Sequence, residues 1–197
     1  MLDEFLLYLR LGLGHITDLA GYDHILFVLA TCAVYRWSEW RQVALLVTAF
    51  TVGHTITLAL ATLGMVRVSA PLIEFLIPCT IVATCVANLS ESTADRARPR
   101  HRTVARYLVT IVFGCIHGLG FSSYLRALLG AEESILRPLL AFNIGLEVGQ
   151  LAIVVAGLTV GWCIARVMPH ASRRWPQLLS VAIGGVASWL AVERSIF

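Results

Sequence analysis

The sequence predicts an all-α integral membrane protein, a bundle of about six transmembrane helices in a single domain over residues 1–197. Two observations carry this. The chain is 58% hydrophobic and 14% charged, with mean hydropathy +0.79, against roughly 45–50% apolar and about 25% charged for a soluble domain. Its apolar stretches also recur from end to end with short polar breaks, each near the roughly 20 residues that cross a hydrocarbon core about 30 Å thick. Open sheets leave backbone groups unsatisfied in lipid, and the stretches lack the alternation of barrel strands, so helices are the form they can take. A separate soluble catalytic domain has no room.

The opening residues, MLDEFLLYLR, place Asp3 and Glu4 where a signal peptide needs a basic start, and no small-residue cleavage site follows. Removal of a leader is not expected. Leu2, Phe5, Leu6 and Leu9 fall at helical spacing, which predicts an interfacial amphipathic helix over residues 1–14, lying at the membrane surface. Self-association through that helix, giving a homo-oligomer, is one expectation for it, and simple contact with membrane lipid is the other.

The six spans are read as approximately Leu19 to Tyr35, Gln42 to Gly64, Pro71 to Leu89, Val104 to Leu129, Pro138 to Val167 and Gln177 to Val192. The first is short, with a start nearer His15 also open, and the fifth is long enough to tilt or protrude. Between them stand Arg36, Trp37, Trp40 and Arg41, then Pro71, Pro138, and Trp175 with Pro176, and tryptophan at such points fits the interfacial belt. The one strongly polar break, Glu91 to Arg102, is expected to be a mobile cytoplasmic loop.

Every basic residue apart from histidine is an arginine, and most lie between spans, which marks topology rather than a nucleic-acid surface. Ten fall on one side (Arg36, Arg41, Arg96, Arg98, Arg100, Arg102, Arg106, Arg166, Arg173, Arg174) and five on the other (Arg10, Arg67, Arg126, Arg137, Arg194). The positive-inside rule then puts both termini outside the cytoplasm of a bacterial inner membrane. The five cysteines sit within or at the edge of apolar spans and form no CxxC pair, so neither a disulfide framework nor a zinc ribbon is indicated. Helix packing is the expected role of these small side chains.

Ionisable side chains inside the hydrocarbon region cost about 2.5–3.5 kcal/mol on insertion scales, so each is a candidate for function. The first span opens HITDLAGYDHILF, with His15, Asp18, Asp23 and His24 near its outer end; the second contains TAFTVGHTIT, with His54 about twelve residues, roughly 18 Å, from the inner boundary. His117 in FGCIHGLGF lies at a similar depth on the fourth. On the fifth, Asn143, Glu147 and Gln150 share one face at i, i+4 and i+7. Asp23, His24, His54, His117 and Glu147 therefore arrive at overlapping levels from four helices. Imidazole with carboxylate suits a divalent transition metal such as Ni, Co or Zn, and no paired thiolate points to Cu(I). Thr51, Asn143 and Gln150 are positioned to hydrogen-bond around such a site.

Plainer readings stand beside each of these. His15 and Asp18 fit the headgroup region, His101 and His170 fit solvated breaks, and Asp23 with His24 fits a hydrogen-bonded pair tying helices together. Gly114, Gly118 and Gly120 around His117, and Gly145 and Gly149 around Glu147, fit close helix packing.

The segments GYDHILFVLA, TAFTVGHTITLALATLG, FGCIHGLGFSSYL and FNIGLEVGQL, in this order, resemble the HupE/UreJ family of small membrane proteins over nearly the whole chain. That resemblance implies a hydrogenase or urease accessory role as a nickel or cobalt permease, with Asp23, His24, His54, His117 and Glu147 as the residues to carry over. The better-studied nickel permeases carry a histidine-rich FHGxxHG-type segment where this chain has the single His117, which resembles the second, less characterised branch of the family. A permease is the leading reading. The same side chains also make a parts list for an intramembrane zinc-dependent hydrolase or acyl-transfer enzyme acting on a lipid or lipid-linked substrate, with Glu147 as general base, although no HExxH or GxSxG motif is present. A scaffold whose polar residues set helix register is the third.

Overall fold

The computed structural model describes residues 2–19, 21–90, 100–129, 135–172 and 174–195. Its regular structure is helical throughout the described residues: α1 (Leu2–Thr17), α2 (Asp23–Cys32), a 3-10 turn (Trp37–Glu39), α3 (Trp40–Thr62), α4 (Ala70–Ser90), α5 (Arg100–Leu129), α6 (Leu136–Val167), α7 (Pro169–Ser172) and α8 (Trp175–Glu193). Among the described residues, five helical segments are long and apolar enough to cross a membrane: Trp37–Thr62, Ala70–Ser90, Val104–Leu128, Leu136–Val167 and Trp175–Glu193. They coincide with the last five spans read from the sequence. Most of the expected Glu91 to Arg102 loop lies outside the described residues.

The first span differs. Residues 19–35 do not form one helix, because α2 holds only 10 residues, about 15 Å, half the hydrocarbon thickness. Asp18 and Gly21 stand before it, two residue types that weaken a helix interior, and the Thr17 hydroxyl turns back to the Leu13 carbonyl at 2.8 Å as α1 ends. Beyond Cys32 the chain turns, and the Glu39 carboxylate accepts the Arg36 N–H at 2.9 Å. The helix expected over 1–14 runs on to Thr17, and its face Tyr8, Gly12 and Ile16 is buried.

Glycine sets how the helices meet. A Cβ at Gly53 would fall on the Ile111 carbonyl oxygen, one at Gly114 on that of Phe50, and one at Gly118 on that of His54, so α3 and α5 touch backbone to backbone over several turns. The Thr57 hydroxyl donates across this seam to the Cys115 carbonyl at 2.8 Å. A second seam joins α1 to α6, where Gly12 lies on the Phe142 carbonyl and Gly145 on that of Leu9.

The order of contacts along α6 gives the direction of its neighbours. Gly12 meets residues 142–146, Ile16 meets Gly149, and Leu29 and Cys32 meet Gly157, so α1 and then α2 run parallel to α6 in series. On the far side α4 packs on α8, with Gly184 closing on Cys85. One core cluster (Tyr8, Ile16, Leu58, Leu125, Phe142, Leu146) fills the space under α1. A second (Phe27, Phe50, Ile81, Cys85, Ile183) lies between α2, α3, α4 and α8. Outward faces are apolar, as at Val52, Val112, Val155 and Trp189, which suits contact with lipid.

Gly114 and Gly185 provide a matched comparison. An added methyl at Gly114 overlaps backbone that cannot rotate away, whereas nothing lies within 4 Å of one at Gly185. Gly114→Ala is expected to lower the thermal midpoint in detergent by several degrees, and Gly185→Ala to hold or raise it, since alanine is favoured over glycine by about 0.5–1 kcal/mol within a helix. Equal midpoints for the two variants would remove the close-approach account of the α3–α5 seam.

Candidate metal centre

Four histidines converge where α1 ends and α2 begins. His15 occupies the last turn of α1 and His24 the first turn of α2, while α3 brings His54 and α5 brings His117. Ligand atoms of His15, His24 and His54 all lie within 4.8 Å of one another. The ring centres of His15 and His24 are 4.7 Å apart, and those of His24 and His117 are 5.0 Å apart. The α3–α5 seam explains the approach of His54 and His117, because Gly118 beside His117 packs on the His54 carbonyl itself.

The cluster is buried and walled by aromatic rings. His54 and His117 are 0% and 1% exposed. Phe121 lies 4.1 Å from the His15 ring, Phe142 stacks 6.3 Å from His54, and Phe50 stands edge-on 5.0 Å from His117. The Thr80 hydroxyl pairs with His117 Nε2 at 3.0 Å. His15 Nε2, His24 Nε2 and His117 Nδ1 have no hydrogen-bond partner, and the His54 ring faces the Asn143 side chain. Unmade hydrogen bonds at buried polar groups cost about 1–3 kcal/mol each, and most proteins avoid them. Several imidazole nitrogens turned to one point fit a divalent transition metal, since imidazole ligates such ions as the neutral ring. Nitrogens on one tetrahedral ion bound at about 2.0–2.1 Å are about 3.4 Å apart, so small ring rotations would complete the grip.

The two acids expected at the site are placed otherwise. Asp23 Oδ2 accepts from Arg194 at 2.9 Å, a contact between α2 and the end of α8, while its Oδ1 is buried without a partner. Glu147 Oε1 accepts from Thr48 at 2.5 Å, and its Oε2 is buried and unpaired. Neither belongs to the three-histidine grouping; His117 borders it through His24. Thr51, Asn143 and Gln150 belong to a polar ladder between α3 and α6: Thr55 donates to Asn143 Oδ1 and Thr51 to Gln150 Oε1, each at 2.7 Å, continuing the Thr48–Glu147 rung. This ladder fixes α6 against the helix that carries His54.

His15, open from the sequence between the headgroup region and a functional role, stands inside this grouping. Its signal was the spacing Gly12-x-x-His15 on a helix with a buried stripe, which places the ring beside a close helix contact. His170 is exposed in α7, in keeping with a solvated position, and the His101 side chain lies outside the described residues.

Apolar helices closed around a buried polar centre define a multi-pass membrane protein. The chain belongs to the family described as HupE / UreJ protein, whose model matches residues 1–194. Comparison with curated proteins and with solved structures gave no match.

The ladder can be measured. In a double-mutant cycle of Thr51→Val and Gln150→Leu, read by unfolding in detergent, the coupling energy should fall at about 0.6–1.7 kcal/mol, the range for hydrogen bonds between membrane helices. Simple additivity would mean that this rung does not join the two helices.

Proposed function

We propose that this protein is a permease for a divalent first-row transition metal, nickel or cobalt before zinc, and that the cargo ion is held among His15, His24, His54 and His117. The observation that carries the reading is the grouping of His15, His24 and His54 from α1, α2 and α3, with ligand atoms within 4.8 Å of one another, beside which His117 of α5 stands 5.0 Å from the His24 ring. Membership of a family associated with nickel and cobalt transport or accessory function supports it. Asp23 and Glu147 serve the same ion at longer range, the first from its pair with Arg194 and the second from its contact with Thr48.

The path of α1 and α2 supports a sixth crossing made of two half-helices. Each is too short to span alone, and in series along α6 they cover 16 and 10 residues, together about 39 Å of helix. Discontinuous helices near the bilayer midplane build ion sites in transporters, where the C-terminal end of a half-helix favours a cation. His15 stands on such an end, and Asp23 offsets the opposite charge at the start of α2. Both termini then lie outside the cytoplasm of a bacterial inner membrane, in accord with the arginine asymmetry.

Calorimetric nickel titration and nickel uptake into proteoliposomes test the site together. His24→Ala and His54→Ala are expected to lose measurable binding and uptake, and Glu147→Gln to stay folded with affinity reduced about tenfold, or about 1.4 kcal/mol. Parent-like uptake in both histidine variants would end the permease reading. Parent-like affinity in Glu147→Gln would confine that residue to the ladder.

Orientation is tested separately with a membrane-impermeant thiol reagent. Ser38→Cys, in the exposed turn before α3, should react from the cytoplasmic face, and Met65→Cys, after α3, from the opposite face. Reversed labelling would invert the topology and leave the helices unchanged.

A further inference from the structure

A cavity of about 350 Å³ lies on one side of the histidine cluster, and four helices agree on which side. On α2 it is lined by Phe27 and Thr31, after His24; on α3 by Leu46, before His54. On α4 it is lined by Thr84 and Asn88, after Thr80, and on α5 by Thr110 and Phe113, before His117. By helix direction these positions all lie toward the end of the bundle that holds Arg36, Arg41 and Arg106, the inner end under the orientation above.

Very little separates this cavity from the cluster. Phe27 is 1% exposed and lines the cavity, and its ring centre is 5.5 Å from that of His117. Phe50, 4.8 Å from Phe27 and 5.0 Å from His117, completes the layer, and Phe113 backs it at 6.2 Å from Phe27. Along α4, Thr80, Thr84 and Asn88 follow at steps of four on one face. Thr80 touches His117, while Thr84 and Asn88 line the cavity. A polar stripe thus runs past an aromatic layer one ring thick.

We propose that this cavity is the inner vestibule of the permeation path, and that Phe27 is the partition whose displacement lets the ion pass from His117 along Thr80, Thr84 and Asn88 to the cytoplasmic side. The direction of travel rests on the permease reading; the partition itself does not. An aromatic ring can swing about two side-chain torsions without moving the backbone, and a hydrophobic constriction of this kind blocks ions by excluding water. The hydroxyls and amide of the stripe supply oxygen contacts weak enough for the ion to leave.

Thiol labelling decides the partition without any transport. In a chain whose five native cysteines are replaced by alanine, Thr84→Cys should react with an impermeant thiol reagent applied to the inner face and not from the outer face. His117→Cys should be protected while Phe27 is present, and should react from the inner face about tenfold faster or more once Phe27→Ala is added, because a gating residue acts on access. Equal rates for His117→Cys with and without Phe27, or labelling of Thr84→Cys from the outer face alone, overturns the proposal. A second arm uses the native cysteines: Phe27→Trp should slow nickel uptake about tenfold while calorimetric affinity stays within about threefold of the parent. Unchanged uptake in a variant of parent-like affinity also overturns it. A parent that moves no nickel while the labelling pattern holds removes the permease reading alone, so the two failures are distinct.

Discussion

In lipid, apolar side chains gain little by leaving their surroundings for one another, so helix association rests on close packing and on polar contacts that the bilayer cannot supply. The α3–α5 seam meets that requirement with Gly53, Gly114 and Gly118, each lying on a carbonyl of the facing helix. Everything at the centre depends on it. Because Gly118 rests on the His54 carbonyl, His54 and His117 are carried to one depth by backbone contact, not by side-chain preference. The α1–α6 seam repeats the device with Gly12 and Gly145, and it delivers His15 to the same place from the opposite side.

These two seams are joined by the ladder of Thr48, Thr51 and Thr55 with Glu147, Gln150 and Asn143. Each rung gives a partner to one side-chain oxygen that would otherwise be costly in hydrocarbon. Together they hold the α3–α5 pair against the α1–α6 pair, and α2 fills the angle left between them. The break before Asp23 is what allows this. A continuous helix from Leu2 to Cys32 would carry His15 and His24 nine residues apart, separated by about 14 Å along its axis, whereas here their rings are 4.7 Å apart.

Much of this was legible in the sequence because hydrocarbon thickness fixes helix length. The last five spans were readable on that ground, as was the shared level of His54 and His117, whose helices meet where Gly118 packs on the His54 carbonyl. Two features were not. Leu2, Phe5, Leu6 and Leu9 form an apolar stripe that fits a surface helix as well as one packed on α6, since periodicity marks a face but not what covers it. With the start of the first span open between His15 and Leu19, spacing alone left His15 open between the headgroup region and the centre. The pairing of Asp23 with Arg194 joins residues 171 apart, and the turn of Glu147 toward Thr48 is a choice of rotamer among polar neighbours. Neither follows from spacing along one helix.

The position of the acids bears on what a transport site must do. A closed ring of thiolates and imidazoles holds structural zinc with about 10–16 kcal/mol of apparent binding energy, which suits an ion that stays. Conduction needs a site favourable enough to enter and weak enough to leave. Here the buried imidazoles supply directional nitrogens. Asp23 is already paired with Arg194, and Glu147 has one oxygen held by Thr48 and the other unpaired. A carboxylate acting at a distance lowers the energy of a cation throughout the centre without adding a bond that must be broken on release. In the proposed path, selectivity is then set by the histidines, entry into low dielectric is made tolerable by Glu147, and the rate of departure is left to the aromatic layer at Phe27.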